Sequence, residues 1–220
     1  MKFFSGLLAA VALAQAVSAH YVFYQLTAGG QTSRDVIRQP RNNSPVESIT
    51  SPDLRCNASP SPATATANVA AGSAFTFTLD NNFYHPGPGA VYLGQVPAGQ
   101  TAATWDGSGA NWFKIAESGA KFNPFGFVLD GASTVSGTIP ASVKAGQYLL
   151  RVEQIGLHVA GAPQWYISCA QINVTGGGNA NPAKVSIPGY VSSSDSGLTV
   201  NIHYPIPTSY TVPGPAVFRG

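Results

Sequence analysis

Hydrophobic and polar residues alternate along several short stretches of the chain. The cleanest stretch is residues 74–79, Ala-Phe-Thr-Phe-Thr-Leu, in which every second side chain is a large apolar one. A period of two is typical of a strand with one buried face. The same reasoning predicts further strands at residues 20–26, 90–93, 148–153, 165–174 and 198–204.

Glycine and proline punctuate these stretches. The 24 Gly and 17 Pro residues leave little room for helices, and a Gly-Gly-Gly run at 176–178 predicts a loop after the longest strand. Many short strands joined by irregular loops predict an all-β fold, an antiparallel sandwich. The chain shows no internal repeat and no Gly/Ser linker. We therefore expect residues 20–220 to form one domain, without an appended binding module.

Residues 1–19 have the pattern of a secretory signal peptide. Lys2 precedes a short apolar stretch, residues 3–17, and small residues precede position 20 as a signal peptidase requires. The stretch is too short to span a bilayer, and no later apolar run reaches the roughly 20 residues that a membrane helix needs. We therefore expect a secreted, extracellular protein with no membrane partner, whose mature chain begins at His20.

Composition narrows the range of partners. Charged residues make up 9% of the chain and the formal net charge is +2, so there is no basic field to recruit nucleic acid. A nearly neutral surface suits an uncharged partner such as carbohydrate. Cys56 and Cys169 are the only cysteines, and one disulfide is the default in an oxidising compartment. Glycosylation sequons begin at Asn42, Asn57 and Asn173.

The histidine that would begin the mature chain is the first candidate metal ligand. His20 would offer its α-amine and its imidazole Nδ1, and one further imidazole would complete a three-nitrogen site. Such a set suits copper, whereas zinc, the competing metal, prefers a fourth close ligand. His85 is the best candidate for the further imidazole because it lies in a rigid Pro/Gly turn before a predicted strand. A turn histidine that merely caps the strand is the alternative.

A second group of polar residues follows the strand predicted at 148–153. His158 precedes Gln164-Trp165-Tyr166, and two-residue spacing places Gln164 and Tyr166 on one face of a strand. A phenol on the long axis of a copper site would block that position without binding strongly. The amide and the imidazole could hydrogen-bond the oxygen co-substrate. The alternative is that all three are ordinary core and surface polar residues.

Several separated motifs occur in an order that carries a family resemblance. They are His20, residues 43–46 and 51–56, His-Pro-Gly-Pro at 85–88, Trp-Phe-Lys-Ile at 112–115, residues 146–153 running on through 157–158 to 164–171, and residues 187–190, 208–210 and 213–215. Together these motifs resemble the fungal lytic polysaccharide monooxygenases of auxiliary activity family nine, formerly glycoside hydrolase family sixty-one. The resemblance covers essentially the whole mature chain.

The resemblance implies an immunoglobulin-like antiparallel β-sandwich with long irregular loops and a flat copper-bearing face. It also implies that His20 and His85 form a histidine brace on one copper ion, with Tyr166 as the axial phenol. His158 and Gln164 would then position the oxygen co-substrate. Copper, as Cu(II)/Cu(I), is the implied cofactor.

The implied reaction is oxidative cleavage of a β-1,4-glucan, above all cellulose, by hydroxylation at C1, C4 or both. Tyr210 would stack on the sugar chain, and O₂ or H₂O₂ and an external electron donor would be the co-substrates of a monomeric enzyme. Two residues depart from the family pattern. We expect Trp165, where phenylalanine is usual, to point away from the copper, and we interpret His203, where tyrosine is common, as structural.

Two other functions compete with this interpretation. A hydrolytic glycosidase needs two carboxylic acids that flank the bond, and none of the nine carboxylates lies in a suggestive motif near the predicted brace. A copper-binding protein without catalysis would have no need of groups that position oxygen. The presence of His158, Gln164 and Tyr166 together argues against that second alternative.

Overall fold

The computed structural model describes residues 20–220, so the signal peptide predicted at residues 1–19 lies outside the described residues. No helix in the described part is long and apolar enough to cross a membrane. One short helix, α1 (Ser196–Thr199), and a 3₁₀ turn (Pro52–Leu54) accompany the strands. The strands are β1 (Phe23–Ala28), β2 (Gln31–Ser33), β3 (Ile37–Arg38), β4 (Ala67–Ala70), β5 (Ala74–Leu79), β6 (Gly89–Gln95), β7 (Ala110–Ser118), β8 (Ala120–Lys121), β9 (Gly126–Phe127), β10 (Thr134–Thr138), β11 (Gly146–Gly156), β12 (Gln164–Thr175) and β13 (Val185–Ser186).

The strands form a β-sandwich with long connecting loops. The smaller sheet has the order β10-β5-β1-β2, and the larger has the order β13-β7-β6-β11-β12-β3, with β4 added beside β12. Within the described residues every pair of strands is antiparallel except β4 and β12, which run parallel. The prediction of an all-β antiparallel sandwich is confirmed.

The larger sheet is covered on both faces. Between the two sheets lies one buried cluster, to which Phe77, Val152 and Tyr166 belong. Long loops close over the outer face, where Trp112 and Trp165 belong to a second buried cluster. Successive residues of a strand point to opposite faces, and both faces of this sheet are covered. Strands β11 and β12 are therefore buried along almost their whole length instead of alternating between core and solvent.

Most of the predicted strands are confirmed with modest changes at their ends. The bounds of β5 coincide with the predicted residues 74–79, and the stretches predicted at 90–93, 148–153 and 165–174 form the centres of β6, β11 and β12. The first strand begins at Phe23 instead of position 20. The glycine run at 176–178 follows the end of β12, as predicted.

The strand predicted at residues 198–204 is wrong, because this segment turns on itself. The Asp195 carboxylate accepts a hydrogen bond of 3.0 Å from a backbone N–H in the first turn of α1, and the Asn201 side chain accepts one of 2.9 Å from the N–H two residues later. These local bonds satisfy donors that a strand would have to pair across a sheet. Leu198, Val200 and Ile202 still pack against the outer cluster, so the alternation of burial is present, but no described strand pairs with this segment.

The predicted disulfide is confirmed. Cys56 and Cys169 are bonded, with a sequence separation of 113 and 5.2 Å between their Cα atoms. The bond ties β12 to the loop that follows the 3₁₀ turn. It therefore stabilises the strand that carries Gln164 and Tyr166.

A buried ion pair lies beneath the same loop. The Arg151 Nε donates to the carbonyl of Leu54 at 2.9 Å, and its Nη2 is 2.7 Å from Glu153 Oε2. Burial by itself would lower the pKa of Arg151, but the Glu153 carboxylate more than offsets this and raises it. The hydroxyl of Tyr190 donates to the same carboxylate at 2.6 Å, which fixes the 187–190 loop on the sheet.

Candidate metal centre

Three of the residues singled out in the sequence meet at one end of the sandwich. The ring centroids of His20 and His85 are 6.0 Å apart, those of His20 and Tyr166 5.9 Å, and those of His85 and Tyr166 5.6 Å. His20 precedes β1, His85 precedes β6 and Tyr166 lies in β12. Residues from both sheets therefore contribute to this group.

The turn that carries His85 is docked directly on β11. The Leu157 N–H donates to the carbonyl of Pro86 at 2.9 Å. At Gly87 a Cβ atom would lie 1.8 Å from the carbonyl oxygen of Ile155, so only glycine permits this approach. The predicted rigid turn is thus held by packing as well as by its prolines.

His158 stacks on His85. The two ring centroids are 3.8 Å apart with an interplanar angle of 17°. A Cβ at Gly156 would come within 3.2 Å of both residues, which explains the glycine between them. His203, which we interpret as structural, lies beside this pair, because its Nε2 is 3.1 Å from the carbonyl oxygen of His158. The 198–204 segment therefore supports the loop that carries His158.

Gln164 and Tyr166 share a face of β12, and a carboxylate orients them. The phenol of Tyr166 donates to Gln164 Oε1 at 3.2 Å, and Gln164 Nε2 donates to Glu47 Oε1 at 3.1 Å. A bridge between Val46 and Trp165, with both backbone bonds at 2.9 Å, places Glu47 opposite Gln164. Trp165 is fully buried on the other face of β12, away from Tyr166.

Burial and mutual charge keep these groups neutral. Burial, and then the neighbouring imidazoles of His158 and His20, lower the pKa of His85 to about 4. Burial, followed by His20 and His203, also lowers the pKa of His158. Burial, followed by the Glu47 carboxylate, raises the pKa of the Tyr166 phenol. Neutral imidazoles are what a metal requires of its ligands, and a neutral phenol is a weak donor.

The imidazoles of His20 and His85 fit a metal that needs few side-chain ligands. Within residues 20–220 no three His, Cys, Asp or Glu side chains converge as a ligand set. His85 Nε2 is nevertheless buried without a hydrogen bond to any described residue. A buried nitrogen without a partner is costly, so this atom is suited to bind a metal. A metal site built on His85 would therefore need a donor other than a third His, Cys, Asp or Glu side chain. A free α-amine at His20 would be such a donor.

Tyr210 is more enclosed than a flat surface tyrosine. It is half-buried, its hydroxyl donates to the carbonyl of Gly197 at 2.9 Å, and its ring meets Phe127 edge-on at 5.1 Å. Tyr204, which we did not single out in the sequence, is 82% exposed. It follows His203 and therefore lies near the His158 loop.

A sizeable cavity of the sandwich does not include this group of residues. Its volume is about 630 Å³, and it lies between β1 and β3, where Tyr24, Arg34 and Asp35 line it. The histidines and Tyr166 are not among its lining residues. The candidate metal centre is therefore separate from that cavity.

The three glycosylation sequons differ in accessibility. Asn42 is exposed, and its side chain accepts only a local bond from Ser44. Asn57 is 6% exposed and its Nδ2, the atom that would carry a glycan, donates to the carbonyl of Ile167. Asn173 is half-buried and donates to Asn68. Of the three, Asn42 is the site that we propose for a glycan.

Sequence reasoning missed Glu47. We expected no carboxylate in a suggestive position near the brace, but Glu47 directly follows the matched segment 43–46 and binds Gln164. The sequence feature that could have pointed to Glu47 is a charged residue directly beside a family motif. A single carboxylate does not provide the pair that a glycosidase needs.

Comparison with known proteins agrees with this geometry. The chain matches the model of Auxiliary Activity family 9 (formerly GH61) over residues 20–210. It is 51% identical to AA9 family lytic polysaccharide monooxygenase H of Malbranchea cinnamomea over 96% of each chain. It is 44% identical to AA9 family lytic polysaccharide monooxygenase E of Thermothielavioides terrestris, over 97% of this chain and 98% of the relative. The crystal structure of a cellulose-active polysaccharide monooxygenase from M. thermophila superposes with a TM-score of 0.80 at 35% identity, and the match covers 91% of this chain and 100% of that one. The chain therefore belongs to Auxiliary Activity family 9, the lytic polysaccharide monooxygenases, which are oxidoreductases that cleave polysaccharides.

Proposed function

We propose that the protein is secreted and cleaves β-1,4-glucan, with cellulose as its main substrate, by copper-dependent hydroxylation at C1, C4 or both. The observation that carries the proposal is the meeting of His20, His85 and Tyr166 at one end of the sandwich, with His85 Nε2 buried and unbonded within residues 20–220. The cellulose-active relative from M. thermophila supports the choice of substrate.

Removal of residues 1–19 would give His20 a free α-amine. That amine, the His20 imidazole and the His85 imidazole would hold one copper ion, with the Tyr166 phenol close by as a weak further donor. Bound copper would supply a centre that takes one electron from an external donor and activates O₂ or H₂O₂. The neutral state of His85 means that no proton competes with the metal for its nitrogen in mildly acidic medium.

His158 and Gln164 position the oxygen co-substrate in this proposal. Gln164 Nε2 carries two hydrogens, and because one is donated to Glu47 the other remains for a ligand. The Glu47 carboxylate can only accept, so the amide cannot flip without losing the bond to Glu47. His158 is held nearly parallel to His85 by stacking, which fixes the plane of its ring.

The surface around the site suits a flat polymer. We propose that Tyr210 contacts the sugar chain and that the strongly exposed Tyr204 extends this contact. An aromatic ring loses few torsions when a pyranose stacks on it. The enzyme would work as a monomer, because an open face can meet a crystal surface directly.

The experiment that tests the proposal uses mature protein beginning at His20 and loaded with one equivalent of copper. Incubation with ascorbate and cellulose should release oligosaccharides oxidised at C1 or C4, detected by mass spectrometry. No oxidised product on cellulose, xyloglucan or glucomannan, despite bound copper, would refute it. Products formed without reductant would indicate hydrolysis instead.

A substitution separates catalysis from simple copper binding. Gln164→Ala should leave copper binding intact and abolish most oxidation, because only the positioning amide is lost. Gln31→Ala, an exposed glutamine on β2, is the matched control and should retain full activity. Equal activity of the two variants would favour a role for the site in copper binding alone.

A further inference from the structure

A fully buried glutamine lies behind the candidate metal centre. Gln154 is 0% exposed and lies in β11, directly across from Tyr166 in β12. Opposed residues of an antiparallel pair project to the same face, so both side chains point toward the cluster between the sheets. A buried amide is destabilising unless its donor and acceptor are both bonded.

The amide of Gln154 joins the two segments that carry the histidines. Its Nε2 donates to the backbone carbonyl of His85 at 2.9 Å, and its Oε1 accepts from the hydroxyl of Tyr21 at 2.5 Å. A carbonyl can only accept, so the bond to His85 fixes which end of the amide faces which segment. Tyr21 directly follows His20. One side chain therefore connects the residue after His20 to His85 itself.

Tyr21 is anchored on its other sides as well. It is 1% exposed, and its ring lies 4.3 Å from that of Tyr166 and 5.4 Å from that of Phe83. One residue further on, the Val22 N–H donates to Asp80 Oδ1 at 2.9 Å. A chain terminus is ordered only where contacts tie it down, and these contacts would help to order a terminus at His20.

We propose that Gln154 is a positioning residue that sets the separation of His20 and His85 before a metal binds. The inference rests on the proposed copper site. Metal affinity depends on ligands being held close to their final geometry, and loss of a supporting hydrogen bond commonly costs about 10–100-fold in affinity. Gln154 contacts both ligand-bearing segments and lies beneath the site, so it acts through them and not on the substrate.

The test is Gln154→Met, which keeps the length of the side chain and removes both hydrogen bonds. The dissociation constant for Cu(II), measured by calorimetry on mature protein, should rise at least about tenfold. The copper hyperfine coupling in the electron paramagnetic resonance spectrum should change as well. Gln171→Met is the matched control, since Gln171 is buried on β12 and makes no bond to either histidine segment. It should leave affinity and spectrum unchanged.

If Gln154→Met folds poorly, Tyr21→Phe tests the hydrogen bond between Tyr21 and Gln154 from its other end. It keeps the ring and removes only the hydroxyl, and it should weaken copper binding in the same direction. Tyr148→Phe removes a hydroxyl at the other end of β11, bonded to Lys144, and should have no effect on copper. The double variant Tyr21→Phe/Gln154→Met should bind copper no more weakly than Gln154→Met alone, because both substitutions break one linkage.

The outcomes distinguish the two proposals. Wild-type affinity and spectrum in Gln154→Met, whatever its melting temperature, would overturn the positioning role and leave the copper site standing. Failure of the wild-type protein itself to bind Cu(II) tightly would overturn the copper site and this inference together.

Discussion

Replacing Cys56 and Cys169 by alanine should lower the free energy of unfolding by about 5 kcal/mol. With a sequence separation of 113 between the two cysteines, the loss of loop-closure entropy in the unfolded chain amounts to about 5 kcal/mol at 25 °C. The native loop has other anchors, because Arg151 binds the Leu54 carbonyl and Asn57 binds the Ile167 carbonyl. Most of the effect should therefore arise in the unfolded state.

Urea denaturation followed by tryptophan fluorescence measures this loss. The melting temperature should fall by about 10–20 °C, and the dependence of stability on urea should steepen because an uncrosslinked chain exposes more surface. The single variants Cys56→Ala and Cys169→Ala open the same loop, so each should lose nearly as much as the double variant. The second substitution adds only the cost of a small cavity, about 1 kcal/mol.

A loss below about 2 kcal/mol in the double variant would refute this reasoning, since it lies well under the entropic value. Full additivity of the two single variants would refute it as well. One loop can be opened only once, and the entropic cost cannot be counted twice.

Three further predictions concern the site and the core. A glycine added before His20 would convert its amine into a peptide amide, and calorimetry should show Cu(II) affinity falling by more than about tenfold. Glu47→Gln keeps an acceptor opposite Gln164 and should retain most activity, whereas Glu47→Leu should lose about tenfold in the initial rate of product release at unchanged copper affinity. Glu153→Leu leaves the Arg151 guanidinium buried without its carboxylate and should cost about 3–5 kcal/mol in urea denaturation, most of which Arg151→Met/Glu153→Leu should recover.

Each of these predictions has a contradicting outcome. Unchanged copper affinity in the extended protein would remove the α-amine from the ligand set. Equal rates for Glu47→Gln and Glu47→Leu would show that Gln164 needs no partner. A double variant no more stable than Glu153→Leu would show that the buried charge of Arg151 is not the source of the cost.

Local patterns were sufficient where neighbouring residues decide the structure. The alternation at 74–79 gave the bounds of β5, because one face of that strand is buried and the other is not. The same rule failed at 198–204, where Asp195 caps a short helical turn and the Asn201 side chain accepts from backbone N–H groups just after it. Short polar side chains compete with strand pairing for backbone hydrogen bonds, and the pattern of hydrophobic residues gives no information about that competition.

The candidate site likewise contains residues that local sequence patterns identified and residues that they did not. Three local features singled out the candidate ligands and their neighbours, since these are properties of short segments: the position after a predicted cleavage site, the Pro/Gly turn, and the two-residue spacing of Gln164 and Tyr166. Glu47 and Gln154 were not predicted as parts of the site. Their roles depend on hydrogen bonds to Gln164, Tyr21 and His85, which are remote in the chain.

Only the tertiary structure could establish those partnerships, for a physical reason. Which distant segments meet is decided by the packing of two sheets and by loops that bury the outer face of the larger one, as Trp165 shows. A buried polar side chain must then be bonded to a donor or acceptor within that packing. The sequence of one segment does not indicate which residue of another segment that partner is. The interest of His20 as a candidate metal ligand is thus apparent from its place in the chain, whereas the support that we propose for it becomes apparent only when Tyr21, Gln154 and His85 come together.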